Sequence, residues 1–137
     1  MIPRGGKTEM NDELEALVVS GKEVDRKLLA GILSPYVRLD RDDCDIDTLE
    51  AWLGLGTDSK ILVYLLARKA MVALGFDLGV EGATASEVAL VMNVNHETVG
   101  PELRKMHAEG ILEETKDYRY FVPNYAVVKI KGMLSTQ

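Results

Sequence analysis

The chain has 137 residues, which suits one compact domain, or one small domain with an extension, and excludes a long multi-domain enzyme. Apolar residues make up 47% of it and the formal net charge is −6, the composition of a folded globular protein rather than a disordered tail. Its apolar runs fall far short of the roughly 18 to 20 residues of a membrane-spanning helix, and its first residues lack the apolar core of a secretory signal, so the sequence predicts a cytoplasmic protein.

The negative charge is concentrated in the first part of the chain. Residues 1–58 contain 7 basic and 13 acidic side chains, which leaves a net charge of −6. Residues 59–82 carry a net charge of +1 and residues 83–137 one of −1. An acidic chain does not attract phosphate as a whole, but this distribution allows a basic face in the second part. We predict an acidic N-terminal extension over residues 1–58 and a second domain over residues 59–137.

Two helices are predicted at the start of the extension. The first spans residues 11–20, and the second spans residues 22–33 and is stopped by Pro35, because the residue before a proline avoids the helical region. Apolar side chains three and four positions apart give each helix one buried face. These are Leu14, Leu17 and Val18 in the first helix, and Val24, Leu28, Leu29 and Ile32 in the second.

Residues 36–47 are predicted to form a loop or a short hairpin. Five aspartates lie between Asp40 and Asp47, around the single cysteine, Cys44. A calcium-binding loop of the twelve-residue type needs Gly at its sixth position and Glu at its twelfth, and the registers that begin at Asp40 and Asp43 lack both. We interpret the segment as a solvated acidic turn. One cysteine forms neither an internal disulfide nor a thiolate metal site.

The strongest helix signal covers residues 60–74. This segment is rich in Leu and Ala, has only three charged residues and ends at Gly75. Because its apolar side chains lie almost all the way round, we expect several elements, or a second copy of the protein, to pack on it. The side chains expected to dock the preceding segment are Leu49, Trp52, Leu53 and Leu55.

A pair of short helices with a tight break between them is predicted next. Thr84 and Glu87 have the spacing of a capping box, in which each side chain accepts the other residue's backbone N–H. The second helix is predicted to start at Thr98, because Pro101 then falls in the first turn, where its missing N–H is not needed, and to end at Gly110. The apolar faces are Val88, Val91 and Met92 in the first helix and Val99, Leu103 and Met106 in the second, with the break at residues 93–95.

A β-hairpin and a terminal helix complete the predicted elements. Residues 110–115 and 118–122 have strand character on either side of a turn at residues 116–117. The apolar spacing after Pro123 favours a short helix, although its β-branched residues leave a strand open.

The order of short helix, turn, second helix and hairpin resembles the winged helix-turn-helix superfamily, with a match over residues 59–122 in which the long helix at 60–74 packs behind the pair. The resemblance implies a mainly α fold with a small β-hairpin wing, here with an N-terminal helical extension. In members that bind DNA the second helix enters the major groove and the wing follows the backbone. It therefore implies a small transcriptional regulator that binds double-stranded DNA, with flanking elements forming a homodimer interface.

Mapped onto this sequence, the resemblance predicts a set of DNA-binding side chains. Glu97 and Glu102 lie on the same helix and oppose phosphate, whereas the basic side chains of the helix and wing would attract it. The predicted set consists of His96, Thr98, Arg104 and Lys105 on the helix, and Lys116, Tyr118 and Arg119 on the wing.

An enzyme has little support in the sequence. His96 and His107 are eleven positions apart, which is not the spacing of a helical zinc pair, and no glycine-rich phosphate loop occurs. We therefore expect no catalytic residue, cofactor or metal, and no membrane partner. The competing hypothesis is a winged helix that serves as a protein-interaction or scaffold module, with the acidic N-terminal part as a possible contact for a protein partner.

Overall fold

The fold is mainly helical. The computed structural model describes residues 24–135, so the predicted helix over residues 11–20 lies outside the described residues. Helices account for 55% of the residues described, and the strands form two separate two-stranded antiparallel sheets. Within the same range, every helix is too short or too polar to span a membrane. The expected combination of a mainly α fold and a small hairpin is confirmed at this level.

The elements follow one another with short connections. In chain order they are α1 (Arg26–Leu33), β1 (Val37–Asp40), β2 (Asp45–Thr48), α2 (Glu50–Leu53), α3 (Thr57–Ala73), α4 (Ala85–Met92), α5 (His96–Ala108), β3 (Glu113–Glu114), β4 (Tyr120–Phe121), a 3₁₀ turn (Asn124–Ala126) and α6 (Val127–Ser135).

Helix α3 forms the centre of the core. It is buried on all sides, and Ile61, Val63 and Leu66 have no exposed surface. Trp52 packs into the same core as predicted, but Leu53 is 72% exposed, so its predicted docking is wrong. Side chains of α1 and β1 and those of α4, α5 and α6 belong to this single cluster, so the core is continuous across residue 58.

The segment before α3 folds into a helix and a hairpin. Helix α1 begins later than predicted because the Asp25 side chain caps it, accepting the backbone N–H of Leu28 at 3.0 Å. Strands β1 and β2 pair antiparallel, with Val37 opposite Thr48, which confirms a hairpin rather than a loop. Its turn is held by Asp40, whose Oδ1 accepts the backbone N–H of Asp42 at 3.0 Å.

Helices α4 and α5 are joined by a break at which Asn93 adopts a left-handed conformation, with φ of 56°. The prediction that α5 starts at Thr98 is wrong. The helix starts at His96, because the Asn95 side chain caps it by accepting the backbone N–H of Glu97 at 2.9 Å. Pro101 therefore lies inside the helix and costs it one backbone hydrogen bond.

The second hairpin is short, and a third segment of the same polypeptide pairs with it. Strands β3 and β4 pair Glu113 with Phe121 and Glu114 with Tyr120, over fewer residues than predicted. Ala83, which precedes α4, pairs with Tyr120 through two backbone hydrogen bonds of 3.0 and 2.8 Å. The hairpin is thus attached directly to the start of the helix pair. After it, the terminal segment is a helix, α6, as favoured by its spacing.

The close approach of Gly82 to β4 leads to a stability prediction. A Cβ at this position would lie 2.9 Å from Cβ of Arg119 and 3.4 Å from the carbonyl oxygen of Tyr120. Gly82→Ala should therefore lower the free energy of unfolding by about 1–3 kcal/mol, because the backbone of the hairpin has to move. Urea denaturation measures the change.

The control is Gly31→Ala in α1, where a Cβ meets nothing within 4 Å. It should stabilise the protein by about 0.5–1 kcal/mol through helix propensity alone. Equal behaviour of the two variants would contradict the close packing of Gly82.

Candidate nucleic-acid interface

A polar cleft lies where the beginning of α4, the outer side of α5 and the second hairpin meet. Its volume is about 580 Å³. Three of the predicted site residues, His96, Arg104 and Tyr118, line it. The other lining residues are Thr84, Ala85, Ser86, His107, Glu114 and Tyr120.

The remaining residues of the predicted set lie outside this cleft. Thr98 and Lys105 are exposed on α5, and Lys116 is exposed in the hairpin turn. Arg104 lies against its own helix, since its Nη1 is 3.3 Å from the position that a Cβ on Gly100 would occupy. The absence of a side chain at Gly100 therefore gives the guanidinium its place.

The guanidinium group of Arg119 binds other groups of its own chain. Its Nη1 donates to both carboxylate oxygens of Glu87, at 2.9 and 3.1 Å, and to the carbonyl oxygen of Gly82 at 3.2 Å, while Nε pairs with Asp117 at 3.2 Å. This contact joins the hairpin to α4. The predicted capping box therefore forms only in part. Thr84 accepts the N–H of Glu87 at 3.2 Å, but the Glu87 carboxylate binds Arg119 and not the N–H of Thr84.

Three basic residues of the predicted set form no ion pair within the part of the chain that the structure describes. They are Arg104, Lys105 and Lys116. Two of them belong to α5 and the third to the hairpin, so they come from the two elements that the sequence singled out. They are free to bind an anion.

The carboxylate of Glu102 turns away from the exposed side of α5. It forms a hydrogen bond with the carboxyl group of Asp58 on α3, and this bond, together with burial and the negative charge of Asp58, raises the pKa of Glu102 above its ordinary value of 4.5. Its Oε2 is buried and lacks a hydrogen-bond donor among the described residues, which disfavours the charged form of the carboxyl group. Glu102 is therefore less of an obstacle to phosphate than its position on α5 suggested.

Other acidic groups near the cleft accept tyrosine hydroxyls. Burial raises the pKa of Tyr120, as does the hydrogen bond that its hydroxyl makes with Glu114. The hydroxyl of Tyr125 donates to Glu113 at 3.0 Å. Glu97 remains exposed in the first turn of α5. The face is thus mixed in charge rather than strongly basic.

The beginning of α4 adds neutral donors to the cleft. Ala85 and Ser86 are the first residues of this helix and line the cleft, and the first N–H groups of a helix have no partner within it. Such N–H groups favour an anion. The predicted set of DNA-binding residues does not contain Ala85 and Ser86, although the N-cap at Thr84 marked the start of this helix in the sequence.

Three apolar side chains at the end of α4 and in the following turn are exposed. Leu90 is 82% exposed, Val91 48% and Val94 39%. The prediction that Val91 is buried is wrong, because α4 contacts the core through Val88 and Ala89. Among residues 24–135 there is no cluster of side chains that could hold a metal ion.

Comparison of the chain with models of protein families, with curated proteins and with solved structures found no match.

The carboxyl pair predicts how stability depends on pH. Because the folded state holds the proton of Glu102 more tightly than the unfolded chain, stability falls as the pH rises from 4.5 through the raised pKa. Glu102→Gln should remove this dependence and stabilise the protein at pH 7 by up to about 1 kcal/mol, since the amide donates to Asp58 without a charge. Thermal unfolding between pH 4 and pH 8 measures it.

The matched control is Glu97→Gln, the same change in the first turn of α5, where the side chain is exposed. It should leave the slope of stability against pH as in the unmodified protein. If Glu102→Gln behaves like this control, the surroundings of Glu102 do not raise the pKa of its carboxyl group in the folded protein.

Proposed function

We propose that residues 83–123 form a winged helix-turn-helix unit that binds double-stranded DNA, and that the protein is a small transcriptional regulator. The observation that carries the proposal is the set of three cations, Arg104, Lys105 and Lys116, on α5 and the hairpin, which form no ion pair among the described residues. Cations of this kind bind phosphate oxygens.

The arrangement of the elements supports the same function. Helix α5 follows α4 after a tight turn, the hairpin comes next, and the Ala83 to Tyr120 pairing ties the hairpin to the start of α4. In DNA-binding proteins of this type the beginning of the second helix contacts base edges. On this proposal His96 and Thr98, which are exposed at the start of α5, face the bases, and the cations position the backbone.

The exposed ring of Tyr118 extends the proposed surface onto the hairpin. Tyr118 is 73% exposed and has a left-handed backbone, with φ of 63°. Its N–H donates to the carbonyl oxygen of Thr115 at 3.1 Å, which holds the turn in place. We propose that Tyr118 and Lys116 contact the sugar-phosphate backbone, while Arg119 keeps the hairpin attached to α4 and does not touch DNA.

The proposal predicts weak but salt-dependent DNA binding that is lost when two charges are reversed. With three phosphate contacts in each protomer, the logarithm of the affinity should fall with the logarithm of the salt concentration with a slope of roughly −3 per protomer. Arg104→Glu with Lys105→Glu should lower the affinity for duplex DNA by roughly 100-fold at 0.1 M salt. Fluorescence anisotropy with labelled duplexes measures both.

Lys27→Glu with Arg41→Glu is the matched control, because both side chains are exposed, on α1 and in the turn of the first hairpin, and the change in net charge is the same. This variant should bind DNA within a few-fold of the unmodified protein. An equal loss in both double variants would mean that only the overall charge matters, and would overturn the assignment of the α5 face.

We further propose that the regulator acts as a homodimer. Helix α3 is covered by its own chain, so it no longer argues for a second copy. The terminal segment favours a second copy, because the side chains of Tyr125 and Val128 are 68% and 67% exposed. Equilibrium sedimentation should give the mass of two chains, and Val128→Asp should reduce it to the mass of one. A single-chain mass for the unmodified protein would contradict the dimer.

A protein-interaction module is the second candidate function. The exposed side chains of Leu90, Val91 and Val94 favour it, because exposed apolar side chains of this size are common in binding surfaces for another protein. The acidic N-terminal part would suit a basic partner. Failure of the unmodified protein to bind any duplex at low salt would favour this function over DNA binding.

A further inference from the structure

The face of α5 that borders the polar cleft carries nitrogen-bearing side chains around a glycine. His96, Gly100, Arg104 and His107 are four, four and three positions apart, a spacing that puts them on one face of the helix. The two histidines and Arg104 all line the cleft. The missing side chain at Gly100 leaves the guanidinium room on this face, since a Cβ there would lie 3.3 Å from Nη1 of Arg104.

The polar groups of this face are not used by the chain itself. Within residues 24–135, the side chains of His96 and Arg104 form neither a hydrogen bond nor an ion pair. His107 meets the ring of Tyr120 edge-on, with 6.3 Å between the ring centroids. Guanidinium and imidazole groups both donate N–H bonds, so this wall of the cleft offers donors to a ligand.

The start of α4 forms a second wall with donors. The hydroxyl of Thr84 accepts the N–H of Glu87 at 3.2 Å, which leaves the N–H groups of Ala85 and Ser86 without a partner in the helix. The hydroxyl of Ser86 is exposed at the same wall. Glu114 is the acidic residue of the lining, and its carboxylate accepts the hydroxyl of Tyr120. Donors from two helices thus surround one cavity, as a phosphate group requires.

The cleft is larger than a phosphate group and has aromatic rings on its third side. Its volume of about 580 Å³ lies in the range of small-molecule sites. The hairpin contributes the rings of Tyr118, which is 73% exposed, and Tyr120. Nucleobases stack on such rings. We propose that the cleft binds a nucleoside 5′-monophosphate, with its phosphate between Arg104 and the start of α4 and its base against Tyr118.

This site gives the proposed DNA-binding face a means of regulation. His96 and Arg104 belong both to the cleft and to the predicted set of DNA-binding residues, so a bound nucleotide excludes DNA from that part of α5. The competition rests on the proposed function, whereas the binding of the nucleotide does not.

Isothermal titration calorimetry with adenosine 5′-monophosphate (AMP) tests the site. AMP should bind to one site per chain with a Kd below about 1 mM. Adenosine and inorganic phosphate should each bind at least roughly 10-fold more weakly, because each keeps only one part of the contacts. Absence of AMP binding would overturn the proposal. Equal binding of either fragment would overturn the joint recognition of phosphate and base.

Two neighbouring positions on α5 provide a matched pair of variants. Arg104→Gln should weaken AMP binding by roughly 10-fold or more, because it removes a charge-assisted contact to the phosphate. Lys105→Gln removes the same charge from the next residue, which is exposed and lies outside the cleft, and should bind AMP like the unmodified protein. An equal loss in both variants would overturn the placement of the phosphate in the cleft.

Ser86→Asp is a second test that does not depend on Arg104. A carboxylate in the first turn of a helix is favourable for the helix, so the variant should fold. Its negative charge would occupy the place of the phosphate, and AMP binding should be lost. Unchanged AMP binding by this variant would overturn the proposed site.

The DNA titrations separate this proposal from the proposed function. Saturating AMP should lower the affinity for duplex DNA, whereas saturating adenosine should not. A protein that binds AMP but no duplex would contradict the DNA-binding function and leave the nucleotide site in place. A protein that binds duplex DNA but not AMP would contradict the nucleotide site alone.

Discussion

The burial of α3 on every side is the constraint that places the other described elements. Because Ile61, Val63 and Leu66 have no exposed surface, each neighbouring element must cover one side of this helix. Lys69 lies in the same enclosure at 4% exposure, and a buried charge without a partner is costly. Its Nζ meets the side-chain oxygen of Asn124 at 2.9 Å and Glu81 at 3.1 Å, which fixes the segments that follow α3 and precede α6.

The position of the cleft follows from a series of contacts that starts on α3. Arg68 donates to the carbonyl oxygens of Val80, Glu81 and Gly82 at 2.9, 2.7 and 3.3 Å, and so holds the chain just before Ala83. Ala83 pairs with Tyr120, and Arg119, which precedes Tyr120 in the hairpin, binds Glu87 on α4. A core helix thus helps to position the hairpin by binding the backbone carbonyl groups of residues 80–82, which any sequence could offer.

The sequence predicted the elements whose signal is local and missed the partners that are remote. Periodicity identified α3, the α4 and α5 pair and the hairpin. The start of α5 depended on whether Asn95 or Thr98 supplies the cap, and only the side-chain geometry at Asn95 decides it. Arg119 and Glu87 are 32 positions apart, and Asp58 and Glu102 further still, so no local pattern indicates that they meet.

These remote partners decide the charge of the proposed DNA-binding face. Counted by sequence, the second half of the chain is almost neutral, and Arg119 was one of four cations expected to bind phosphate. In the fold Arg119 forms an ion pair with Glu87, so one positive and one negative charge cancel. Glu102 turns towards Asp58. With three free cations, phosphate contacts supply only part of the affinity of a DNA-binding protein. On the proposed function, contacts to base edges from the start of α5 must therefore supply the rest.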